Sequence, residues 1–103
     1  MTRDEVLVLL SQHRAELSAF GLRRLALFGS VARNEAGPDS DIDVLVEFDG
    51  ETTFSRYAKL YDRLEEILPR RVDLAIASSI RPVLREGVEE DAYEIAELQS
   101  VSR

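Results

Sequence analysis

The sequence predicts an α/β domain, a small mixed β-sheet backed by helices. Alternation of apolar and polar residues marks a strand at residues 41–48 and a shorter one within 70–77. Between them Phe54, Tyr57, Leu60, Tyr61, Leu64 and Ile67 recur at helical spacing and stop at Pro69. A second helical pattern opens the chain. At 103 residues there is room for one small domain, taken as residues 1–103.

Thr2 followed three residues later by Glu5 has the form of a helix capping box. Val6, Leu9, Leu10, His13 and Leu17 then continue at helical spacing, so one helix is expected to run to Phe20 and Gly21. Leu22 to Phe28, LRRLALF, reads as the first strand and halts at Gly29. Ser30 to Arg33 reads as a short helical turn, and NEAGPDS (residues 34–40) as a loop broken at Gly37-Pro38. In the strand that follows, Ile42, Val44, Val46 and Phe48 form one face, while Asp41, Asp43, Leu45 and Glu47 form the other. Asp49-Gly50 turns the chain into the helix that ends at Pro69. Val72, Leu74 and Ile76 then alternate with Asp73 on the opposite face, and from Ile80 helix resumes around Gly87 through Tyr93, Ile95 and Leu98. The expected order is α, β, β, α, β, α.

A hydrophobic fraction of 45% and a charged fraction of 32% fit a soluble globular protein. The absence of cysteine excludes disulfides and thiolate metal sites and suits the cytoplasm. No apolar run approaches the roughly 20 residues needed to span a bilayer. The opening MTRDEVLVLL also lacks the apolar stretch of a signal peptide, so no membrane partner is expected. A formal charge of −7 argues against direct nucleic-acid binding, which needs surplus lysine and arginine. It leaves open a nucleotide held through divalent cations, because carboxylates that repel one another are stabilised by a metal between them.

Asp41 and Asp43 stand two apart on one strand, so both project from one face, roughly 7 Å apart at the backbone. If the strand at 70–77 lies beside the strand at 41–48, Asp73 reaches the same place. An Asp-x-Asp alone also serves solubility on a surface strand. The third aspartate, set in the apolar run VDLAIA, points instead to a cation site. Hard oxygen donors with open coordination positions suit Mg²⁺ or Mn²⁺. Two such ions can hold a triphosphate, activate an attacking hydroxyl and stabilise leaving pyrophosphate.

Gly29-Ser30 follows an apolar strand and precedes a helical turn. Glycine lets backbone approach a phosphate closely, and amides at a helix start favour an anion. The same pair also serves as an ordinary capped turn. Arg33, one helical turn beyond Ser30, either contacts phosphate or ribose or braces the loop against Asp39 or Asp41. Ser40 joins the nucleotide-binding candidates, although its place before Asp41 suits it to shaping the backbone.

Residues 27–48, LFGSVARNEAGPDSDIDVLVEF, resemble the signature of the polymerase-β-like nucleotidyltransferase superfamily, and within it the minimal nucleotidyltransferase (MNT) domain. The matching positions are Gly29, Ser30, Ala32, Arg33, Ser40, Asp41 and Asp43, and RRVDLAIA supplies the third aspartate as Asp73. The resemblance covers roughly residues 20–98. It implies the nucleotidyltransferase fold, with Asp41 and Asp43 on metals bound to the triphosphate. Asp73 would complete the catalytic metal site and help deprotonate the acceptor hydroxyl. Gly29 and Ser30 would hold the β- and γ-phosphates. Val31 stands where relatives often carry a basic residue. Asn34 replaces a frequent glycine but tolerates a left-handed backbone.

Larger relatives add a domain that binds the acceptor, and none is read here. Stand-alone MNT proteins resemble the antitoxin of two-gene modules whose partner is a HEPN ribonuclease toxin. The resemblance therefore implies transfer of AMP from ATP to a toxin tyrosine and a hetero-oligomer with the toxin. The rivals are an antitoxin that acts by occlusion alone and a transferase modifying a small hydroxylated molecule. His13, the one histidine, sits away from the motif and reads as structural. Tyr57 and Tyr61 read as helix support, with a second reading that places them and Phe54 against a partner helix. Glu89, Glu90 and Asp91 read as a solvated face open to a basic partner.

Overall fold

The computed structural model describes residues 2–37 and 39–95. Two helices, α1 (Arg3–Gln12) and α2 (Arg14–Ser18), lead into strand β1 (Leu22–Phe28) and a single turn of helix, α3 (Gly29–Ala32). Strand β2 (Ile42–Phe48), helix α4 (Phe54–Ile67) and strand β3 (Val72–Ile76) follow. A short turn of 3-10 helix at Ala77–Ser79 precedes α5 (Pro82–Asp91) and strand β4 (Tyr93–Glu94). The strands lie in the order β3-β2-β1-β4, with β2 and β3 parallel and the other neighbours antiparallel. The sheet is therefore mixed, as the sequence predicts.

The expected capping box forms. Glu5 N–H donates to Thr2 Oγ1 at 3.2 Å, and Thr2 N–H donates to Glu5 Oε1 at 2.8 Å. The first helix does not run unbroken to Phe20. His13 places its ring Nδ1 2.9 Å from the Leu9 carbonyl, the acceptor its own amide would use in a continuing α-helix. That amide turns instead to Leu10 O, and the next helix starts when Leu17 N–H bonds His13 O. α4 is capped by Thr53, whose Oγ1 accepts from Arg56 N–H at 3.2 Å, and ends before Pro69.

The main core fills one face of the sheet. Val6, Leu10 and Leu17 of the first two helices and Leu60 and Leu64 of α4 pack on Leu25, Leu27, Val44 and Val46. A pairing irregularity between Leu22 and Arg24 brings Leu22 and Leu25 into the same core despite their odd spacing. The opposite face carries a second, smaller cluster: Ala26, Leu45 and Ala77, with Val88 of α5 packed against it. Leu45, grouped by alternation with the polar residues of its strand, is thus fully buried beneath α5.

The C-terminal helix is shorter than the periodicity predicts. α5 passes through Gly87 unbroken but ends at Asp91. Tyr93 and Glu94 then pair with Leu27 and Ala26 of β1, and Ile95 N–H donates to Leu25 O at 2.9 Å. Period two, not 3.6, governs these three residues: Ile95 enters the main core, while Glu94 turns to Arg24 on the other face. The order is therefore α, α, β, α, β, α, β, α, β. Leu98 lies outside the described residues.

Candidate active site

Parallel pairing of β2 with β3 sets Asp43 directly beside Asp73, and antiparallel pairing with β1 sets Asp43 beside Phe28, the residue before Gly29. Two candidate carboxylates and the Gly-Ser turn thus converge through sheet register. Gly29 has φ +70°, and a Cβ at this position would lie 2.2 Å from Asp43 Oδ2. Only glycine admits the aspartate so close to the backbone.

Asp43 is half-buried, and its carboxyl is pushed up from 3.8 to about 6. Loss of hydration is the largest cause, followed by the charge of Asp73, a hydrogen bond with Asp73 and the charge of Asp41. Arg33 acts in the opposite direction. Asp41, exposed just ahead of β2, therefore acts on Asp43 through its charge, while Asp73 meets it directly.

These features fit a hard divalent cation. Crowded carboxylates raise one another's proton affinity, and a cation among them relieves the repulsion. Among the described residues no three acidic, histidine or cysteine side chains form a ready metal cage. Such an open carboxylate set suits an ion whose remaining positions go to water and phosphate oxygens.

The other candidates settle unevenly. Ser30 follows Gly29 in α3, half-buried beside the aspartates' edge of the sheet. Ser40 Oγ accepts from Gly37 N–H at 2.9 Å, and its amide donates to Gly37 O at 3.2 Å, so it shapes the loop before Asp41. Arg33 braces against neither Asp39 nor Asp41. Its Nε donates to Glu35 at 2.8 Å and its terminal nitrogen to Asp91 of α5. The acidic run at 89–91 is correspondingly no simple solvated face, since Glu89 binds Arg24 and Asp91 binds Arg33. Val31 is buried in the main core, which explains an apolar residue there. Asn34 has φ +61°, the left-handed backbone its side chain tolerates.

Arg3 has no counterpart among the sequence candidates, yet it ties α1 to the end of the turn that begins at Gly29. Its guanidinium donates to Ala32 O at 3.3 Å and lies 4.7 Å from the centre of the Tyr93 ring, while its amide donates to Asn34 Oδ1 at 3.2 Å. The partners are about 30 and 90 residues away in the chain, so no local pattern marks them. Glu35, two residues from Arg33, was within reach of a charge-pairing argument.

A mixed sheet carrying paired aspartates on adjacent strands, next to a Gly-Ser turn, defines the nucleotidyltransferase class. The model of the nucleotidyltransferase domain matches residues 10–95, and the chain belongs to that family and is a nucleotidyltransferase. The protein adenylyltransferase MntA of Thermococcus cleftensis is 39% identical over 94 residues, covering 85% of this chain and 95% of its own. A solved chain assigned as a minimal nucleotidyltransferase is 36% identical, with a TM-score of 0.73 over 90% of this chain and 95% of its own. The fold is also that of the structure of a tri-AMPylated Shewanella oneidensis HEPN toxin in complex with an MNT antitoxin. That match has a TM-score of 0.57 at 22% identity, over 82% of this chain and 71% of the other.

Proposed function

We propose that the chain transfers AMP from ATP to a tyrosine hydroxyl of a HEPN toxin and thereby acts as its antitoxin. The observation that carries the reading is the pairing of Asp43 with Asp73 against the glycine backbone at position 29. Its support from relatives is the adenylyltransferase name of the archaeal protein and the AMPylated toxin in the MNT complex.

Asp41, Asp43 and Asp73 would hold Mg²⁺, two ions by the family pattern, with Mn²⁺ as a substitute. When bound, the metal supplies positive charge that offsets the triphosphate and the charge developing on departing pyrophosphate. The backbone at Gly29 and the hydroxyl of Ser30 receive the β- and γ-phosphates, and the glycine permits close approach. The tyrosine oxygen attacks the α-phosphorus, a new P–O bond forms, and the bond to the pyrophosphate oxygen breaks. Asp73, exposed on the edge strand, accepts the hydroxyl proton on the acceptor side.

The test is intact-mass spectrometry of a cognate HEPN protein incubated with this chain, ATP and Mg²⁺. The expected result is addition of one or more AMP units, abolished by Asp43→Asn and by Asp73→Asn. An unmodified toxin that still copurifies with the chain would replace this reading with neutralisation by occlusion.

A further inference from the structure

α5 is attached to the domain largely through charge. None of its residues is buried, although Val88 packs against the small cluster on the sheet. Of the three carboxylates in its C-terminal half, two each take an arginine from a different element. Glu89 receives both terminal nitrogens of Arg24 from β1, at 2.6 and 2.8 Å. Asp91 receives Arg33, the residue that closes α3. Arg33 therefore lies between its chain neighbour Glu35 and a residue 58 positions away. Glu35 travels with Arg33 wherever the loop goes, so Asp91 is the partner that links this cation to another element.

Arg33 also stands at the site by geometry: it closes the single turn that begins at Gly29, and its amide donates to Gly29 O at 3.1 Å. Carboxylate and phosphate oxygens offer a guanidinium the same kind of acceptor, and a triphosphate carries more negative charge than one aspartate.

We propose that Asp91 is a positioning residue that acts through Arg33: it occupies the guanidinium edge that a nucleoside triphosphate would otherwise take. Nucleotide binding and attachment of the C-terminal half of α5 then compete for one cation. Because such coupling is reciprocal, the Arg33–Asp91 contact weakens nucleotide binding by the same factor by which bound nucleotide weakens that contact. The proposal rests on reading the site as a triphosphate site, and needs no acceptor protein for its test.

The experiment is calorimetric titration of the purified chain with a non-hydrolysable ATP analogue and Mg²⁺. Asp91→Asn is expected to tighten binding about three- to fivefold, the upper range for an exposed ion pair. In an Arg33→Ala background the same substitution gives no gain. Glu90→Gln, which removes one negative charge from the adjacent position, leaves affinity unchanged. Asp91→Ala, measured alongside, tightens binding as Asp91→Asn does, and Arg24 keeps α5 in place in both. Unchanged or weaker binding in the Asp91 variants, beside a wild type that binds, overturns the proposal. An equal gain from Glu90→Gln, or a gain that persists without Arg33, overturns it too, since either would be a general charge effect. A wild-type chain that binds no analogue removes the triphosphate reading itself, and the proposal with it.

Discussion

A methyl group at position 29 would lie 2.2 Å from Asp43 Oδ2, on backbone whose φ of +70° already disfavours any side chain. Gly29→Ala thus meets both a clash and strain, and either the turn or the aspartate must move. The expected cost is about 2 kcal/mol of stability, and nucleotidyl transfer falls on the order of 100-fold, because displacement of a reacting group by even an ångström is that damaging. A thermal melt and a transfer assay read the two effects separately. Asp43 itself works against the fold. Its carboxyl titrates at about 6 when folded, above its ordinary 3.8, so between those values the folded chain binds more protons than the unfolded one. Stability therefore falls as pH rises through this window, and the full penalty applies above it. Asp43→Asn should stabilise the metal-free protein at about pH 8 by about 1 kcal/mol, a figure discounted for solvent screening. The gain should shrink to a small remainder at about pH 4, where the folded carboxyl is neutral, and vanish below 3.8. Melts in a chelating buffer at the two pH values decide it, and a gain equal at both would assign the effect to something other than ionisation.

Among the elements, the C-terminal helix and strand depend most on long-range charge. Arg24 of β1 bonds Glu89 of α5 and Glu94 of β4 together, and its guanidinium is held well above its ordinary range by those two carboxylates. Arg24→Met leaves the two acids facing each other and should cost about 1 kcal/mol. Glu89 is held below the usual carboxylate range by Arg24, so this contribution is present above the unfolded value of 4.5 and is lost as pH falls through the folded one. The difference in melting temperature between Arg24→Met and wild type should accordingly shrink in acid. The same region shows where a sequence stops being readable. The two strands with clear alternation, the capping box and the helix ending before Pro69 are all local patterns, and all appear in the structure. Tyr93 to Ile95 fits period two as well as period 3.6, and what decides is the open edge of β1, a feature outside the segment. His13 breaks the first helix through one side-chain hydrogen bond that its apolar spacing conceals. In the site, Asp43, Asp73 and Gly29 were legible because register and conformational freedom follow from residue type. The partners of Arg33 and the role of Arg3 were not, because they depend on where α5 and α1 dock.

For the whole molecule, one sheet serves two purposes on its two faces. The face toward α1, α2 and α4 holds the main core, and its removal from water supplies most of the driving force for folding. The other face is covered by α5 only around Leu45, leaving Asp43 and Asp73 on the same side of the sheet but beyond that cover. The aspartates are therefore supported by a rigid sheet without having to be buried. They also contribute to the net charge of −7 and to the repulsion that comes with it. A bound cation would relieve this, and any ligand that binds the folded form alone raises its stability by mass action. At Mg²⁺ about ten times its dissociation constant the gain is about 1.4 kcal/mol, or roughly 6 to 7 °C for a domain of this size. Two explanations of such a rise must be separated, because screening of a large negative charge also stabilises without any site. Screening depends on ionic strength, so KCl matched in ionic strength to the Mg²⁺ salt should reproduce it. A site depends on its ligands, so Asp43→Asn with Asp73→Asn should lose most of the Mg²⁺ shift while keeping the response to KCl. Melting curves of wild type and the double variant in the two salts give four numbers. The predicted outcome is that only wild type in Mg²⁺ stands apart, and equal shifts in all four would leave the aspartates without a cation to hold.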